Sequence, residues 1–344
     1  MVDRIAVGVI GCGFFSRNHL NAWRDLKAEG IDLVAVCDLD AAKAEETARE
    51  FGIPNWYVDA ENMLFKEKLG LVDIVTQMRT HASLVALTMS HRIPTIVQKP
   101  FGQNIAEVKA MTEAATAAKT FLAVHENFRF QPPLLKVNEL IQTGAIGRPS
   151  WARIAFRTGW DIYTGQPYLK TEDRFVLLDL GVHVLDVARF YLGEADRITA
   201  ELQRRNPTVR GEDTATMLCH HKAGAVSVVE CTYESRRLPD PFPETTLEIE
   251  GERGAIVLKP GYQIELTSGR THTVIDVDVP LLPWAERPWH VVQRSVLNTC
   301  RHMAAALRAG RPAATSAQDN MRTFMLVEAA YAAARRGIAK TQGG

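Results

Sequence analysis

The chain has 344 residues, a length typical of about two domains and sufficient to bury hydrophobic cores without disulfides or structural metals. Hydrophobic residues make up 46% and charged residues 23%, which is typical of a folded globular protein and excludes a disordered chain. The 40 Lys and Arg residues balance the 40 Asp and Glu residues without a polybasic run, so we expect neither nucleic acid nor anionic membrane as a partner.

The start of the chain and its cysteines indicate a cytoplasmic protein. The uncharged run over residues 5–16 is much shorter than the roughly 18 apolar residues that cross a bilayer. It also ends in a glycine turn rather than in a signal-peptide cleavage site. The five cysteines are odd in number, scattered and without a C-x-x-C pair, which is typical of a reducing compartment. We expect no disulfide.

Residues 1–125 alternate short β-branched runs with amphipathic helical patterns, which predicts an α/β domain with a doubly wound parallel sheet. A helix is predicted after Gln103, with Asn104 as N-cap and Glu107 in the capping-box position. The predicted strands cover residues 5–10, 33–37, 56–58, 72–76, 95–98 and 121–124.

Residues 126–344 have a different pattern and are predicted to form a second α/β domain, with a large open, mostly antiparallel sheet. Ser316 and Asp319 occupy capping-box positions of the last helix, and Gly337 is its predicted stop. The predicted helices cover 133–143, 176–191, 290–309 and 317–336, and the predicted strands cover 149–156, 198–203, 214–218, 225–233, 246–249, 255–258 and 274–277.

The first predicted strand leads directly into a glycine-rich turn and a helix. Gly11 allows the tight turn, and Gly13 lets the backbone approach a pyrophosphate at the positive end of the helix. Ser16 replaces the third glycine of the G-x-G-x-x-G pattern, where a small residue usually suffices. Phe14 and Phe15 lie within the turn and are candidate cofactor contacts. The pattern predicts a Rossmann dinucleotide-binding domain.

An acidic residue at the end of the second predicted strand indicates which dinucleotide binds. Asp38 lies where such an acid accepts hydrogen bonds from the adenosine ribose hydroxyls. Because its carboxylate would repel the 2′-phosphate of NADP, NAD is the expected cofactor and NADP is less favoured. Dual use stays open, since Lys43 and Arg49 lie on the next helix. The alternative interpretation is a glycine turn with only a structural role.

Three polar clusters are expected to belong to one site. Thr76 with His81, and Gln98 with Lys99, follow the fourth and fifth predicted strands. These positions lie at the carboxyl edge of the parallel sheet, where open α/β folds bind their ligands. The third cluster, residues 179–183, begins a helix of the second domain.

Alcohol oxidation requires a hydride acceptor and a group that takes the hydroxyl proton, and Lys99 and His183 are the candidates for that group. Asp179 precedes His183 by four residues, which on a helix places both side chains on one face. A carboxylate beside an imidazole fixes its orientation and raises its basicity. A structural alternative stays open for each residue: a solvated loop lysine, a core histidine and a helix cap.

On these residues the chain resembles the Gfo/Idh/MocA family of NAD(P)-dependent oxidoreductases over essentially its whole length. The resemblance implies a lysine beside the nicotinamide at Lys99 and substrate-carbinol contacts from Asp179 and His183. It also implies a Rossmann domain joined to an α/β domain with an open sheet, and a homodimer or homotetramer formed through that sheet. The resemblance rests on Gly11-Cys12-Gly13, Asp38, Thr76 to His81, Lys99-Pro100 and Asp179 to Asp186.

The chain departs from the family pattern at two of the predicted cofactor-binding positions. The usual glutamate before the lysine is Gln98, and the usual Thr-Pro pair is Thr76-Gln77. Gln98 can still hydrogen-bond the nicotinamide ribose, but a neutral neighbour no longer favours the ammonium form of Lys99. The missing proline relaxes a turn and leaves the cofactor assignment intact.

Candidate substrate ligands are Asn127, Arg129 and Trp160, together with Asp179 and His183. Their mixture of polar, aromatic and charged groups suits a sugar, polyol or sugar acid. Arg129 can pair with a carboxylate or form a salt bridge between the domains, and both possibilities stay open. No His, Cys or Asp spacing favours zinc, so no metal is expected. Further polar and aromatic residues nearby are Asp161, Tyr163, Gln166 and Tyr168.

The expected function is an NAD-dependent dehydrogenase that oxidises a secondary hydroxyl of a carbohydrate. His183 is the expected proton acceptor, Lys99 assists, and Asp179 orients both substrate and His183. One alternative is a sugar-acid oxidoisomerase of the apionate type, in which a divalent ion could assist. Another is a non-catalytic dinucleotide-binding regulator, against which the presence of all three residues argues.

Overall fold

The computed structural model describes residues 4–336, which form two compact units. The first unit contains residues 4–130, 281–286 and 292–324, and the second contains 131–280, 287–291 and 325–336. This division differs from the single boundary predicted between residues 125 and 126. The C-terminal part of the chain returns to the first unit because apolar residues there, including Val296 and Cys300, belong to its hydrophobic core.

The described part of the first unit contains a six-stranded parallel sheet with the order β3-β2-β1-β4-β5-β6. The order reverses between β1 and β4, and ligands of such sheets bind beyond the carboxyl ends of the strands at that point. All six predicted strands are confirmed, with small differences at their ends. The strands are β1 (Ile5–Ile10), β2 (Ile31–Cys37), β3 (Asn55–Tyr57), β4 (Leu71–Ile74), β5 (Thr95–Gln98) and β6 (Leu122–His125).

Five helices connect these strands, and local capping sets where several of them begin. The Asn104 side chain accepts a hydrogen bond from the Glu107 backbone N–H, which confirms the predicted N-cap. Trp23 and Leu20 of the first helix are fully buried in the core. The helices are α1 (Ser16–Asp25), α2 (Ala41–Phe51), α3 (Ala60–Lys66), α4 (His81–Ser90) and α5 (Ile105–Ala118).

The second unit contains an eight-stranded sheet with the order β14-β13-β12-β11-β7-β10-β9-β8. It is mostly antiparallel, as predicted, but β7 and β10 pair in parallel at its centre. The sequence analysis missed β13, a short, largely polar strand. The strands are β7 (Pro149–Arg157), β8 (Ala195–Gln203), β9 (Thr214–His221), β10 (Val226–Thr232), β11 (Thr246–Gly251), β12 (Gly254–Lys259), β13 (Gln263–Ser268) and β14 (Thr271–Asp276).

The helix predicted over 176–191 is a π-helix, Leu177–Gly181, that continues directly into an α-helix. Among residues 4–336, no helix has the length and apolar character needed to cross a membrane. Gly337, the predicted stop of the last helix, lies outside the described residues. The remaining helices are α6 (Pro132–Gln142), α7 (Ile162–Gly165), α8 (Val182–Leu192), α9 (His290–Arg308) and α10 (Ala317–Arg336).

Candidate active site

The glycine-rich turn after β1 has the geometry that its sequence predicts. Gly11 has a φ of +104°, and a Cβ there would lie 2.4 Å from the Val75 carbonyl oxygen, so only glycine fits. Beside Gly13, the described residues place no heavy atom within 4 Å of a Cβ position, apart from its chain neighbours. The buried Ser16 donates its hydroxyl to the Gly13 carbonyl oxygen at 2.6 Å. The turn therefore leaves room for a pyrophosphate at the start of α1.

Asp38 links this turn to the end of β2. One of its carboxylate oxygens accepts a hydrogen bond from the Cys12 backbone N–H at 2.8 Å, and the other accepts from the Asp40 N–H at 2.9 Å. Each oxygen retains acceptor capacity for a ribose hydroxyl. Phe14 and Leu39, next to the turn and to Asp38 in sequence, are 65% and 91% exposed. An acid for the ribose and exposed apolar surface for a flat ring fit the adenosine half of NAD.

A buried hydrogen-bond chain, which the sequence analysis did not detect, lies behind the end of β5. Asp73 Oδ2 accepts hydrogen bonds from His19 Nδ1 at 2.8 Å and from Trp23 Nε1 at 2.7 Å. Because a carboxylate only accepts, the proton is on Nδ1, and Nε2 accepts from the Gln98 amide at 3.0 Å. The Gln98 oxygen accepts from the Lys99 backbone N–H at 2.6 Å. This chain fixes the orientation of the Gln98 amide.

One of these side chains, His19, also belongs to a small cluster of two imidazoles and a thiol. Ligand atoms of His19, His125 and Cys300 lie within 4.8 Å of one another, and all three residues are buried. Both nitrogens of His19 already take part in hydrogen bonds, and burial raises the pKa of the Cys300 thiol well above its usual value. A protonated thiol and a committed imidazole are poor metal ligands. The expectation of no metal stays a prediction.

Phe15 and His81, two of the predicted cofactor contacts, pack near the carboxyl edge of the parallel sheet. Half-buried Phe15 packs edge-on against His19, with ring centroids 5.6 Å apart. His81 is fully buried, with Nδ1 3.0 Å from the Pro100 carbonyl oxygen and Nε2 3.2 Å from that of Thr76. Burial lowers the pKa of His81, so the neutral ring donates to one carbonyl at a time. His81 thereby ties the end of β4 to the segment after β5; its contact with the cofactor stays a prediction.

Asn127 and Arg129 are buried and have partners within the first unit. The Asn127 amide donates to Ser295 Oγ at 2.7 Å. Arg129 forms an ion pair with Asp319 at 3.1 Å and donates to the Ala314 carbonyl oxygen at 3.0 Å. Because Asp319 belongs to the same unit, this pair is not the bridge between domains that was considered from the sequence. Substrate contacts of Asn127 and Arg129 stay predictions.

In the second unit, Asp179 lies in the π-helix and His183 lies in the first turn of α8. π-Helical turns occur frequently at functional sites. Tyr233, which follows β10, donates its hydroxyl to Asp179 Oδ2 at 2.8 Å. Burial, followed by the charge of Asp179, raises the pKa of Tyr233 well above its usual value, so the hydroxyl keeps its proton. Sequence reasoning missed Tyr233, since it is 54 residues from Asp179.

Glu212, which precedes β9, fixes the start of the same helical segment. Its carboxylate accepts hydrogen bonds from the backbone N–H groups of Phe175 at 3.1 Å and Leu177 at 3.2 Å. Its carbonyl oxygen accepts from the Val176 N–H at 3.0 Å. The Tyr331 hydroxyl of α10 donates to the same carboxylate, and burial raises the pKa of Glu212. A distant glutamate thus satisfies donors that a helix start leaves open.

The aromatic residues predicted near the substrate lie on the loop after β7, on α7 and on the short 3-10 helix Pro167–Thr171 that follows α7. Trp160 stacks on Phe242 with centroids 4.7 Å apart and remains 44% exposed, so one face can take a ligand. The Tyr163 hydroxyl donates to Glu234 at 2.9 Å, and Tyr168 donates to Gln166 at 2.8 Å. Asp161, also predicted nearby, caps α7. A substrate contact of Trp160 stays a prediction.

Comparison with known proteins agrees with both halves of this description. Residues 5–126 match the model of the oxidoreductase family with an NAD-binding Rossmann fold, and residues 134–257 match the GFO/IDH/MocA C-terminal domain. D-apiose dehydrogenase of Rhizobium rhizogenes is 43% identical over 329 residues, covering 96% of this chain and 95% of that protein. D-apiose dehydrogenase of Paraburkholderia graminis is 44% identical over 336 residues, covering 98% of this chain and 89% of that protein.

A solved structure is similarly close. It is an oxidoreductase from Agrobacterium radiobacter in complex with NAD+, L-tartaric acid and magnesium, with a TM-score of 0.95, 42% identity and 97% coverage of each chain. The chain belongs to the GFO/IDH/MocA family of oxidoreductases. It is an NAD-dependent oxidoreductase, which confirms the predicted family, enzyme class and cofactor.

Proposed function

We propose that this enzyme oxidises a CH–OH carbon of a small sugar, with D-apiose as the first candidate. The observation that carries this proposal is the identity of 43% and 44% to two D-apiose dehydrogenases over nearly the whole chain. The pairing of an acid and an imidazole near the start of α8 supports it, since both groups can contact a hydroxyl. Dehydrogenase relatives favour this function over an oxidoisomerase or a regulator.

In the proposed reaction, His183 takes the hydroxyl proton as the carbinol carbon becomes a carbonyl carbon. Bound NAD, held by the turn at Gly11 and Gly13 and by Asp38, supplies the hydride acceptor. Asp179, fixed by the Tyr233 hydroxyl, orients the substrate hydroxyl and His183. Lys99 lies at the carboxyl edge of the sheet and polarises the reacting oxygen as an ammonium group. In the reverse direction the same groups return the proton.

The test is the near-ultraviolet absorbance of NADH formed from NAD and a panel of substrates. The panel contains D-apiose, myo-inositol, levoglucosan and aldonic acids, each with NAD and with NADP. We expect the largest kcat/KM with D-apiose and NAD. Lys99→Ala and His183→Ala should each lose at least about a hundredfold in kcat, the usual size of a general acid–base contribution. Lys109→Ala, an exposed lysine of α5, is the control and should retain activity.

We also propose that the protein forms a homodimer or homotetramer through the open face of the eight-stranded sheet and works in the cytoplasm. Leu218 on β9 is 48% exposed, which suits a face that a second copy covers. The five cysteines are free thiols, which suits a reducing compartment. Light scattering of the purified protein measures its mass, and Leu218→Glu should lower that mass. A monomeric wild type would contradict the oligomer.

A further inference from the structure

We propose that Glu126 is the acidic partner of Lys99, so that residue 126 supplies the carboxylate that the family motif normally has at position 98. Glu126 is then a positioning residue, which holds Lys99 in its ammonium form without touching the substrate. The inference deepens the proposed function, because it concerns the charge of a residue in the proposed catalytic set.

The pairing of β5 with β6 brings the two residues to the same place in the fold. These strands are parallel neighbours, and Gln98 at the end of β5 is in register with His125 at the end of β6. Lys99 is the first residue after β5, and Glu126 is the first residue after β6. Both therefore leave the sheet side by side at its carboxyl edge. Adjacent strands in a sheet are separated by about 5 Å, which is within reach of a lysine–glutamate ion pair.

Gln98 cannot take the role of a charge partner. Its amide nitrogen is 3.0 Å from His19 Nε2, and its amide oxygen accepts from the Lys99 backbone N–H. Both ends of the amide are therefore engaged in other hydrogen bonds. A carboxylate at this position would also face the acceptor nitrogen of His19, since the other nitrogen donates to Asp73. A glutamine suits this neutral imidazole, and the negative charge must come from elsewhere.

Glu126 is a carboxyl group buried to full inaccessibility, which needs a specific reason. Its Oε1 accepts a hydrogen bond from the Phe128 backbone N–H at 3.1 Å. Burial raises the pKa of Glu126 to about 7, while the Phe128 hydrogen bond and the charges of Lys99 and Arg129 act in the opposite direction. Of these two cations, Lys99 has the larger effect on Glu126.

This arrangement makes the support that Lys99 receives depend on the ionisation of Glu126. When Glu126 loses its proton, its negative charge stabilises the ammonium form of Lys99. When Glu126 is protonated, Lys99 loses that support and its neutral amine becomes easier to form. The charged groups acting on the Glu126 carboxyl are Lys99, after β5, and Arg129, in the turn after β6. The ionised pair should therefore form as pH rises through about 7, where Glu126 loses its proton.

Competitive acylation of lysines with acetic anhydride, followed by peptide mass spectrometry, tests the pair without substrate. Only neutral amines react, so the pH dependence of labelling reports the neutral fraction of Lys99. Glu126→Gln keeps the shape and an acceptor for the Phe128 N–H but removes the charge. We expect at least about tenfold more Lys99 labelling at a given pH, the usual effect of losing one adjacent opposite charge. Lys109 in the same samples should not change, and an unchanged Lys99 profile would overturn the proposal.

Two further variants extend the test, and the first of them keeps it decisive even if Glu126→Gln folds poorly. Glu126→Asp retains the charge and should keep the wild-type labelling profile of Lys99. Gln98→Glu combined with Glu126→Gln moves the carboxylate to residue 98, where the family motif has it. This double variant should restore the wild-type labelling profile of Lys99 at least partly. A Glu126→Asp variant whose Lys99 labels like that of Glu126→Gln would overturn the proposal, because the negative charge is retained there.

Kinetics then separates this inference from the proposed function. With an active substrate, Glu126→Gln should lower kcat and shift its pH profile while leaving KM nearly unchanged, because Glu126 acts through Lys99. A merely structural glutamate would not shift the pH profile. If the wild type oxidises no sugar in the panel, the proposed function fails, whereas the labelling experiment still decides the Lys99–Glu126 pair.

Discussion

The carboxyl edge of the parallel sheet in the first unit and the start of α8 in the second unit hold their candidate site residues in different ways. In the first region, Gly11, Asp38 and Lys99 each follow directly after a strand, and the backbone turn at the end of that strand sets their positions. At the second, Asp179 depends on contacts from distant parts of the chain: Tyr233 on the carboxylate and Glu212 on the helix start. Changes of backbone conformation should therefore affect the first region most, and deletion of single remote side chains should affect the second.

The largest effect is expected from Gly11→Ala. A Cβ at this position would lie 2.4 Å from a backbone oxygen, and the φ of +104° is rarely adopted by alanine. We expect a loss of about 3 kcal/mol or more in the free energy of unfolding, measured by urea denaturation, together with a loss of NAD binding.

Gly13→Ala is its matched control, because the described residues leave open space around the new methyl group. Its stability should change by less than about 1 kcal/mol, while NAD binding measured by calorimetry weakens, since the methyl group enters the space proposed for the pyrophosphate. Equal destabilisation by both alanines would contradict the distinction between the two glycines.

The buried carboxyl of Glu126 should make the stability of the first region depend on pH. Its pKa in the folded protein is raised from 4.5 to about 7, so the folded state binds the proton more tightly than the unfolded state does. The stability from this group is complete below about pH 4.5 and is lost as pH rises through about 7. Relative to Glu126→Gln, the wild type should lose up to about 3 kcal/mol over this range in denaturant titrations. A constant difference between the two proteins would contradict the raised pKa.

Glu212→Ala tests the second region. The substitution leaves the backbone N–H groups of Phe175 and Leu177 and the Tyr331 hydroxyl without their acceptor. We expect about 1–3 kcal/mol of destabilisation and a lower kcat, because the segment that carries Asp179 loses its anchor. Glu139→Ala, at an exposed position of α6, is the control and should alter neither property. An unchanged kcat in Glu212→Ala would show that Asp179 does not need this anchor.

Tyr233→Phe should have the smallest effect. It removes only the hydroxyl that donates to Asp179, so kcat/KM should fall about five- to tenfold, corresponding to about 1 kcal/mol. Tyr191→Phe removes another buried hydroxyl of this unit, which donates to the Leu134 carbonyl oxygen at 2.8 Å. It should lower thermal stability and leave kcat/KM unchanged. A similar loss of kcat/KM in both variants would mean that Tyr233 acts only through stability.

Short-range patterns in the sequence were sufficient to predict the six parallel strands, the glycine turn, Asp38 and the Asn104 cap. Each of these depends on residues close together in the chain or on a strand followed by its turn. The predicted spacing of Asp179 and His183 also lies on one helical segment, although the π-helical geometry around Asp179 was not predicted. A π-turn has no simple residue pattern, since it depends on how the ends of the segment are fixed.

The buried polar contacts and the pairing of distant elements depend on residues far apart in the chain. His19 and Asp73 are 54 residues apart and Glu212 and Tyr331 are 119 apart, so no local pattern could pair them. The parallel pairing of β7 with β10 and the return of α9 to the first unit are likewise properties of the folded chain. By itself the sequence determined the strands, the dinucleotide turn and the family, because those follow from local conformational preference. Only the tertiary structure decided which buried polar groups meet, because burial and hydrogen-bond pairing depend on neighbours distant in sequence.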